Sequence, residues 1–567
     1  MNNLLAEFSQ AEILAPSDVH VARRITDLAD EPDETVGLAA ALAVRALRGG
    51  SVCVDLRTVA DEADAPDLPW PSAEEWVAAV RASSLSGEPP VLRLHDDGLL
   101  YLDRYWREEE QVARDLSALS APSHASIPQE ALDRLFPPPE FKEQRAAAEI
   151  ALSQSVTVLT GGPGTGKTTT VARLLALIAD AEERPRIALA APTGKAAARL
   201  QEAVAAEVAK LDEADRQRLG ELRAVTLHRL LGSRPDTSTR FRHDRGNRLP
   251  HDVIVVDEAS MVSLTMMARL LEAVRPETRL ILVGDPDQLA SVQAGAVLAD
   301  LVEGMSGQGD MKIAALKTSH RFGESIGHLA QAIRDGSADM ALELLRAGDE
   351  HIEFIEVEDP AARLREVLVP HALRVREAAV LGAGGIAVKT LDEHRLLCAH
   401  REGPYGVAYW NGQAERWLTE ETGQAVWSPW YVGRPLLVTA NDYGLGVYNG
   451  DTGVVVASPD GLRACIGAND FATSRLGDVE TMYAMTIHKS QGSQAREVTV
   501  LMPPEESRLL SRELLYTAVT RAKERIRVVG SEPSVRAAVD RRAIRASGLA
   551  QRLYRDRYAA PLPPEKC

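Results

Sequence analysis

The stretch GGPGTGKT at residues 161–168 decides the fold. It matches the phosphate-loop pattern G-x-x-x-x-G-K-[ST] in full, between a strand-like run, VTVLT, and a helix-like run, KTTTVARLLALIA. Glycines let backbone N–H groups surround phosphate oxygens, and the first turn of a helix adds a partial positive charge. A chance glycine-rich turn would not need a strand and a helix on either side. The stretch therefore predicts a phosphate site where one strand of a helix-flanked sheet ends.

Residue types at this loop and farther along the chain predict the chemistry of the site. Lys167 is expected to reach the outer phosphates of a nucleotide, and the Thr168 hydroxyl to ligate Mg²⁺. The apolar run VIVV ends in Asp257, a candidate second Mg²⁺ ligand, and Glu258, which could polarise an attacking water. Two acids at a strand end can also be solvated, so this prediction depends on the phosphate loop. The expected cofactors are ATP and Mg²⁺, and the expected nucleotide contacts in the loop are Gly162, Gly164, Thr165, Gly166, Lys167, Thr168 and Thr169.

The length and composition are those of a multi-domain globular protein. The 567 residues suggest about four modules. A hydrophobic content of 45% and a charged content of 26% exclude wholesale disorder, collagen-like repeats and a small disulfide scaffold. Four cysteines without a C-x-x-C pair indicate reduced thiols. No apolar run reaches the ~18 residues that span a bilayer, and the N-terminus lacks the features of a signal peptide, so we expect a cytoplasmic protein.

Charge is distributed unevenly along the chain. The net charge of −18 excludes a protein that coats nucleic acid through a general positive surface. Residues 1–100 contain 18 acidic residues against 7 arginines, so much of the acidity belongs to an N-terminal module. A local basic groove elsewhere in the chain remains compatible with this balance.

Changes in sequence pattern predict the domain organisation. A mostly helical N-terminal region gives way to a Pro- and Ser-rich stretch, and then to short apolar runs that alternate with helical patterns. Runs of this kind are typical of parallel strands buried on both faces. A polar, basic hairpin or loop interrupts them, and a later segment with Asn-Gly and Gly turns predicts a small inserted β-barrel. The two interruptions are residues 232–250 and 425–470.

The ordered set of motifs resembles superfamily 1 DNA helicases, and within them the RecD-type helicases. The matching stretches run from about residue 141 to 530 and read FKEQ, TGGPGTGKTTT, AAPTGKAAARL, VTLHRLLG, VIVVDEASMV, LVGDPDQLASVQAGAVL, SHRF, NGDTGVV, TIHKSQGSQ and LLYTAVTRAKERI. The acidic N-terminal module also resembles that of the RecD-type subunit of RecBCD complexes. The resemblance implies an α/β fold of two RecA-like P-loop motor domains, an inserted SH3-like β-barrel and a mainly helical N-terminal domain. The implied boundaries are a partner-docking domain at 1–120, a linker at 121–140, motor domains at 141–318 and at 319–424 with 471–545, the barrel at 425–470, and a C-terminal tail at 546–567.

The resemblance also implies roles for individual residues. Gln144 would recognise the adenine edge, Gln288 and Asp285 would link the terminal phosphate to the DNA site, and the second motor domain would supply Arg321 and Arg521. The implied contacts to single-stranded DNA are Thr193, Lys195, Thr226, His228, Thr486, His488 and Lys489. Asn441 and Asn449 could either contact DNA or serve tight turns. The 232–250 insertion could be a strand-splitting pin with Phe241 near its tip, or a surface hairpin.

The function implied by the resemblance is ATP-dependent translocation on single-stranded DNA with 5′→3′ polarity. The chain would be the motor subunit of a RecBCD-type helicase-nuclease that processes duplex DNA ends with RecB-like and RecC-like subunits, associated with the nucleoid. A free-standing helicase of the same family is one alternative, and a nucleotide-switch scaffold that does not translocate is another. A nuclease is disfavoured because no cluster of carboxylates with a lysine stands outside the ATP site.

Overall fold

The structure is a computed structural model of mixed α/β architecture with two parallel sheets. It describes residues 3–63, 65–119, 129–182, 184–234, 237–306, 313–318, 324–424, 428–442 and 444–555. No helix among these residues is long and apolar enough to cross a membrane.

The N-terminal region is mainly helical and has its own core. Trp76 lies in this core and donates from Nε1 to the carbonyl of Thr35 at 2.8 Å. The apolar helix Glu34–Arg48 is followed by Gly50, which has a φ of +88°, a conformation that favours glycine. The helices are α1 Asn3–Gln10, α2 Pro16–Leu28, α3 Glu34–Arg48, α4 Val59–Glu62, α5 Ala73–Ala82 and α6 Asp103–Leu119, and an antiparallel sheet of order β1-β3-β2 contains β1 Cys53–Asp55, β2 Leu92–Leu94 and β3 Leu99–Leu102.

The first α/β segment, residues 129–318, contains a six-stranded sheet in which every pairing is parallel. Val253 and Val255 enter the core on one face, and Ile254 and Val256 enter the core on the other. This burial on both faces explains the continuous apolar runs. Its helices are α7 Gln129–Leu135, α8 Lys142–Ser153, α9 Lys167–Ala181, α10 Gly194–Val208, α11 Glu213–Leu219, α12 Leu227–Leu231, α13 Leu264–Ala273 and α14 Val297–Ser306. Its strands are β4 Val156–Gly161, β5 Ile187–Ala191, β6 Ala224–Thr226, β7 Ser233–Arg234, β8 Thr237–Phe241, β9 Val253–Val256, β10 Arg279–Gly284 and β11 Ile313–Leu316, with the sheet order β11-β4-β10-β9-β5-β6.

The predicted linker at 121–140 is folded in its described part. Helix α7 buries Leu132 and Leu135 against the core of the first α/β segment, and Arg134 forms an ion pair with Asp212 at 2.9 Å. Residues 120–128, where the Ser-rich part of the prediction falls, lie outside the described residues. The linker prediction is therefore wrong for residues 129–136, because a short amphipathic helix follows the Ser-rich stretch.

The insertion at 232–250 differs from the expected pin in one respect. Strands β7 and β8 form an antiparallel pair, as expected for a hairpin, but Phe241 pairs with Ser233 at its base. Phe241 is 6% exposed and its ring centroid lies 5.8 Å from that of His228. The placement of Phe241 near the tip is therefore wrong, since the aromatic side chain is buried in the core. Residues 235–236, between the two strands, lie outside the described residues.

The second α/β segment, residues 324–424 and 482–540, contains a five-stranded parallel sheet of order β12-β21-β20-β13-β19. Its first part contains α15 Glu324–Arg334, α16 Ala338–Arg346, β12 Ile352–Glu356, α17 Ala361–Val380, α18 Gly384–Leu391, β13 His394–Cys398 and α19 Val407–Thr422. The inserted sheet comes next in the chain, with β14 Pro435–Val438, β15 Thr452–Ser458, β16 Gly461–Ile466, β17 Asn469–Ala472 and β18 Val479–Thr481. The chain then continues with β19 Ala484–Thr486, β20 Ala495–Leu501, α20 Arg512–Val519, β21 Ala522–Gly530, α21 Glu532–Asp540 and α22 Leu549–Arg555.

The inserted sheet is antiparallel and has the order β17-β16-β15-β14-β18. Its strands extend to Thr481, beyond the predicted end of the barrel at residue 470. Leu436, Val455 and Ile466 form part of its own small core. The pairings among the described residues run from β17 to β18 and do not close the sheet.

The predicted C-terminal tail also packs on the rest of the molecule. Leu549 and Leu553 of α22 are buried beside α14 and α6. Arg552 donates from Nε to Oε2 of the buried Glu109 at 2.9 Å, which joins the end of the described chain to the N-terminal region. The tail prediction is therefore wrong for residues 546–555, while residues 556–567 lie outside the described residues.

Candidate nucleotide and DNA site

The phosphate loop lies between the carboxyl end of β4 and the start of α9. Gly164 and Gly166 have φ values of +83° and +86°, in the left-handed region where a side chain would be strained. The ammonium of Lys167 donates to the carbonyls of Gly161 at 2.6 Å and Gly162 at 2.9 Å. The loop is thus folded around its lysine at the N-terminus of a helix, an arrangement that binds anions.

The acidic pair follows strand β9, which pairs directly with β5 and lies two strands from β4 in the same sheet. The backbone N–H of Asp257 donates to the carbonyl of Ala190 at 2.9 Å, which extends the parallel pairing by one residue. Burial, and then the charge of Glu258, raise the pKa of Asp257. Glu258 has a φ of +51°, which is uncommon for a residue with a side chain. A cation beside these two carboxylates would favour the ionised form of Asp257, and so would oppose the effects of burial and of Glu258 on its pKa.

A cavity of about 920 Å³ joins the phosphate loop to the acidic pair. Most of the predicted nucleotide and catalytic residues line it, namely Gln144, Gly164, Gly166, Lys167, Thr168, Thr169, Asp257, Glu258, Gln288 and Arg521. Gly162 and Thr165 belong to the same loop, where the Thr165 hydroxyl donates to the Gly162 carbonyl at 2.9 Å. Arg321 lies outside the described residues. The sequence thus predicted a set of residues that the fold brings to one cavity.

A chain of buried hydrogen bonds crosses from the first to the second α/β segment beside this cavity. Arg521 donates to the Gln288 side-chain oxygen at 2.8 Å, and the Gln288 amide donates to Asp285 at 2.8 Å. The Tyr516 hydroxyl donates to the same carboxylate at 3.1 Å. Burial lowers the pKa of the Arg521 guanidinium, which the charge of Glu258 partly offsets. The two segments are therefore linked by hydrogen bonds between buried polar groups.

Sequence reasoning missed four residues of the cavity region. Tyr516 stands in the quoted LLYTAVTRAKERI stretch, and Phe141 in FKEQ, yet neither was given a role. The Arg173 guanidinium carbon lies 4.1 Å from the centroid of the Phe141 ring at the Gln144 end of the cavity. Arg199 also lines the cavity, from helix α10. The motifs containing Tyr516, Phe141 and Arg199 were visible, whereas no pattern distinguished Arg173 from other helix arginines.

Three predicted DNA contacts are threonines at the carboxyl ends of parallel strands. The hydroxyls of Thr193 and Thr226 accept hydrogen bonds from backbone N–H groups of α10 and α12, each at 3.2 Å. The hydroxyl of Thr486, at the end of β19, accepts from the N–H of Lys489 at 3.2 Å. Since strands of one sheet end at the same edge, Thr193 and Thr226 lie side by side, and Thr486 occupies the matching edge of the second sheet.

The inserted sheet contacts the first α/β segment at the predicted DNA residue Lys195. The Lys195 ammonium donates to the carbonyl of Gly450 at 3.1 Å, and the side chain of Tyr448 lies directly against the Cα of Gly194. Burial, and then the charge of Arg395, lower the pKa of Lys195 to about 8. This lysine is therefore engaged within the protein.

The remaining predicted DNA residues have varied surroundings. Asn441 accepts from the N–H of Asn449 at 2.9 Å, so it stabilises the turn whatever else it contacts. Lys489 forms an ion pair with Glu480 at 2.8 Å. Burial lowers the pKa of His228 and His488.

No cluster of three or more His, Cys, Asp or Glu side chains that could hold a metal occurs among the described residues. Mg²⁺ is commonly held by one or two protein groups together with substrate phosphates, which needs no such cluster. Thr168 and Asp257 line one cavity and supply oxygen atoms, so the residues present fit that mode.

Comparison with known proteins agrees with this arrangement. Residues 10–97 match the family model described as RecBCD enzyme subunit RecD, N-terminal domain, residues 144–294 match an AAA domain, and residues 481–529 match a UvrD-like helicase C-terminal domain. The chain is 70% identical over 550 residues to RecBCD enzyme subunit RecD of Mycolicibacterium smegmatis, covering 96% of this chain and 98% of that protein. It is 69% identical over 562 residues to the protein of that name from Mycobacterium tuberculosis, covering 97% of each. It is 30% identical over 644 residues to the Haemophilus influenzae protein of that name, covering 98% of this chain and 99% of that protein. The chain therefore belongs to the RecD family of superfamily 1 DNA helicases.

Proposed function

We propose that the chain is the 5′→3′ motor of a helicase-nuclease complex that processes duplex DNA ends in the cytoplasm, on the nucleoid. ATP closes two RecA-like motor domains, residues 141–318 and residues 319–424 with 482–545, and its hydrolysis lets them open. The inserted antiparallel sheet, β14 to β18, is assigned as an SH3-like barrel beside the DNA path. Repeated closure moves the chain along one strand.

One observation carries this proposal, the buried bond between Arg521 and Gln288, which both line the nucleotide cavity. It puts a cation from the second motor domain next to the phosphate loop and acids of the first. An arginine that reaches a transferring phosphate across such a boundary makes hydrolysis depend on closure. The proposal extends this role to Arg321 by family resemblance.

Residues of both domains have defined roles in ATP hydrolysis. Glu258 accepts a proton as the water oxygen attacks the γ-phosphorus, and the bond from that phosphorus to the bridging oxygen of ADP breaks. Lys167 and Arg521 stabilise the negative charge that develops on the phosphate oxygens. Thr168 and Asp257 would hold Mg²⁺, which neutralises phosphate charge when bound. Gln144 recognises the adenine edge.

DNA binding in this proposal uses the strand edges of both sheets. Thr193, Thr226 and Thr486 mark the path, and contacts to the sugar-phosphate backbone require no particular sequence. The proposal adds Lys195, His228, His488 and Lys489, together with Asn441 and Asn449. Opening one base-pair step costs about 1.4 kcal/mol on average, a modest load for a nucleoside triphosphate motor.

Partner subunits would dock on the acidic N-terminal domain, residues 1–120. The support is the name of its relatives, RecBCD enzyme subunit RecD, together with the high acidity of this region. We therefore expect RecB-like and RecC-like partners in a heterotrimer. A free-standing helicase would need no such partners.

Two measurements on the native protein test the proposal. Affinity purification from its own cells should recover two further subunits in amounts equal to this chain, whereas recovery of the chain alone would favour the free-standing alternative. The purified complex should unwind a 5′-tailed duplex through this subunit, and Lys167→Gln in this chain should abolish that activity while leaving assembly intact. Unwinding of a 5′-tailed duplex that persists in Lys167→Gln would refute the proposed site.

A further inference from the structure

Arg199 occupies a position that joins the nucleotide cavity to the predicted DNA-binding loop. It lies on α10, six residues after the Thr193 cap, and lines the cavity together with Asp257 and Arg521. Its guanidinium donates to the carbonyl of Gly492 at 3.2 Å. Gly492 follows the segment that contains Thr486 and Lys489 within a few residues.

The two cavity arginines hold consecutive carbonyls of the same loop. Arg199, from the first motor domain, bonds Gly492, and Arg521, from the second, bonds the carbonyl of Ser493 at 3.4 Å. Both guanidiniums are therefore at one end of the cavity. Gln144 lines the same cavity, as do Phe141 and Arg173, whose ring and guanidinium are stacked.

The charge environment of Arg199 favours an anion. Among the described residues, no carboxylate forms an ion pair with Arg199 or Arg521, although arginines on the neighbouring helix α11 are paired with acids, as Arg216 is with Glu213. The positive charge of Arg199 acts on two other residues that line the cavity: it opposes the burial that raises the pKa of Asp257, and it adds to the burial that lowers the pKa of Arg521. Two cations at the same end of a cavity repel each other, and a bound phosphate offsets that repulsion.

We propose that Arg199 binds the terminal phosphate of ATP from the first motor domain and transmits its presence to the DNA-binding loop through Gly492. This inference rests on the proposed ATP-driven function and adds a phosphate-sensing residue to it. The guanidinium has five N–H donors, so it can contact a phosphate oxygen and the Gly492 carbonyl together. Loss of the terminal phosphate leaves only the carbonyl contact, which changes how firmly the loop is held.

The test compares nucleotides that differ in the terminal phosphate. Binding of ATPγS and of ADP to the full chain, with Mg²⁺, is measured for Arg199→Ala, Arg199→Lys and the exposed control Arg216→Ala. We expect Arg199→Ala to weaken ATPγS binding about 10- to 100-fold, as for loss of a hydrogen bond to a charged group, with less than a threefold effect on ADP. The ATPγS affinity of Arg199→Lys should lie between those of Arg199→Ala and the unaltered protein. Arg216→Ala should bind both nucleotides as the unaltered protein does.

A second readout examines the proposed link to DNA. The affinity for oligo(dT) is measured in the presence of ATPγS and of ADP, and Arg199→Ala should reduce the difference between the two states. Equal weakening of ATPγS and ADP, or no weakening, would overturn the proposal, and Arg199→Lys provides the same comparison if the alanine variant does not fold. These binding measurements do not require unwinding. If the unaltered protein failed to unwind DNA, that result would count against the proposed function, while the nucleotide affinities of the Arg199 variants would still test the role of Arg199.

Discussion

Replacement of Arg521 by alanine gives the sharpest expectation for the motor. The side chain is 3% exposed, and its Nη2 is 2.8 Å from the Gln288 oxygen. Its Nε donates to the carbonyl of Thr517 at 3.1 Å. Arg521→Ala thus removes a cation from the cavity and leaves buried acceptors without a donor.

The magnitude can be worked from these contacts. An arginine that stabilises a transferring phosphate contributes about 10³- to 10⁵-fold in rate, which corresponds to about 4–7 kcal/mol in the barrier. A buried acceptor that loses its donor costs about 1–3 kcal/mol of folding stability. We therefore expect kcat for ATP to fall by at least about 10³-fold while the protein remains folded.

The assay is DNA-stimulated ATP hydrolysis under single-turnover and steady-state conditions, with thermal unfolding measured in parallel. Arg525→Ala is a matched control, because Arg525 lies four residues along on β21 and pairs with Glu353 at 2.8 Å, outside the cavity. The control should keep kcat within a few-fold of the unaltered protein. A kcat for Arg521→Ala within tenfold of the unaltered value, or an equal loss in Arg525→Ala, would refute the reasoning.

Two further predictions concern stability. Burial raises the pKa of Asp300 to about 7, so between about pH 4 and pH 7 the folded state keeps a proton that the unfolded chain releases, and stability falls as the pH rises through this window. Asp300→Asn should therefore raise the melting temperature more at pH 8 than at pH 5, and equal shifts at both pH values would contradict this account. Phe241→Ala should destabilise the fold by about 3–5 kcal/mol in urea titrations and lower ATPase and unwinding together, since the ring is buried. Loss of unwinding with normal ATPase and stability would instead support Phe241 as part of a pin.

The phosphate loop and the acidic pair could be predicted because each depends on a contiguous pattern. Once VTVLT and VIVV are assigned to parallel strands, Lys167 and Asp257 must meet at the carboxyl edge of one sheet. This holds however far apart Lys167 and Asp257 are in the sequence, so predicting that they lie close together needs no knowledge of side-chain packing. Thr193 and Thr226, by contrast, were predicted from the family resemblance alone, and the parallel pairing of β5 with β6 explains why they lie at one edge.

What the sequence could not show depends on packing between distant elements. Helix α7 and helix α22 are short, and their few apolar residues, such as Leu132 and Leu549, become a core only when a partner surface is present. The polar and basic insertion predicts a projecting hairpin with Phe241 near its tip, yet the strand pairing places Phe241 at the base, against His228. Arg199 was one of many arginines, and only the orientation of α10 distinguishes it.

Coupling between ATP and DNA needs only a short path in this fold. From Thr193, at the DNA edge, to Arg199, at the cavity, the helix rises about 9 Å at 1.5 Å per residue. Thr193 is the N-cap of the helix that contains Arg199, so any displacement of this helix at Arg199 also displaces the Thr193 end. On the opposite side, the loop that ends at Gly492 and Ser493 follows directly from Thr486. The terminal phosphate therefore acts on both halves of the DNA path through one side chain and the loop it holds, and a variant at Arg199 should alter DNA affinity without contacting DNA.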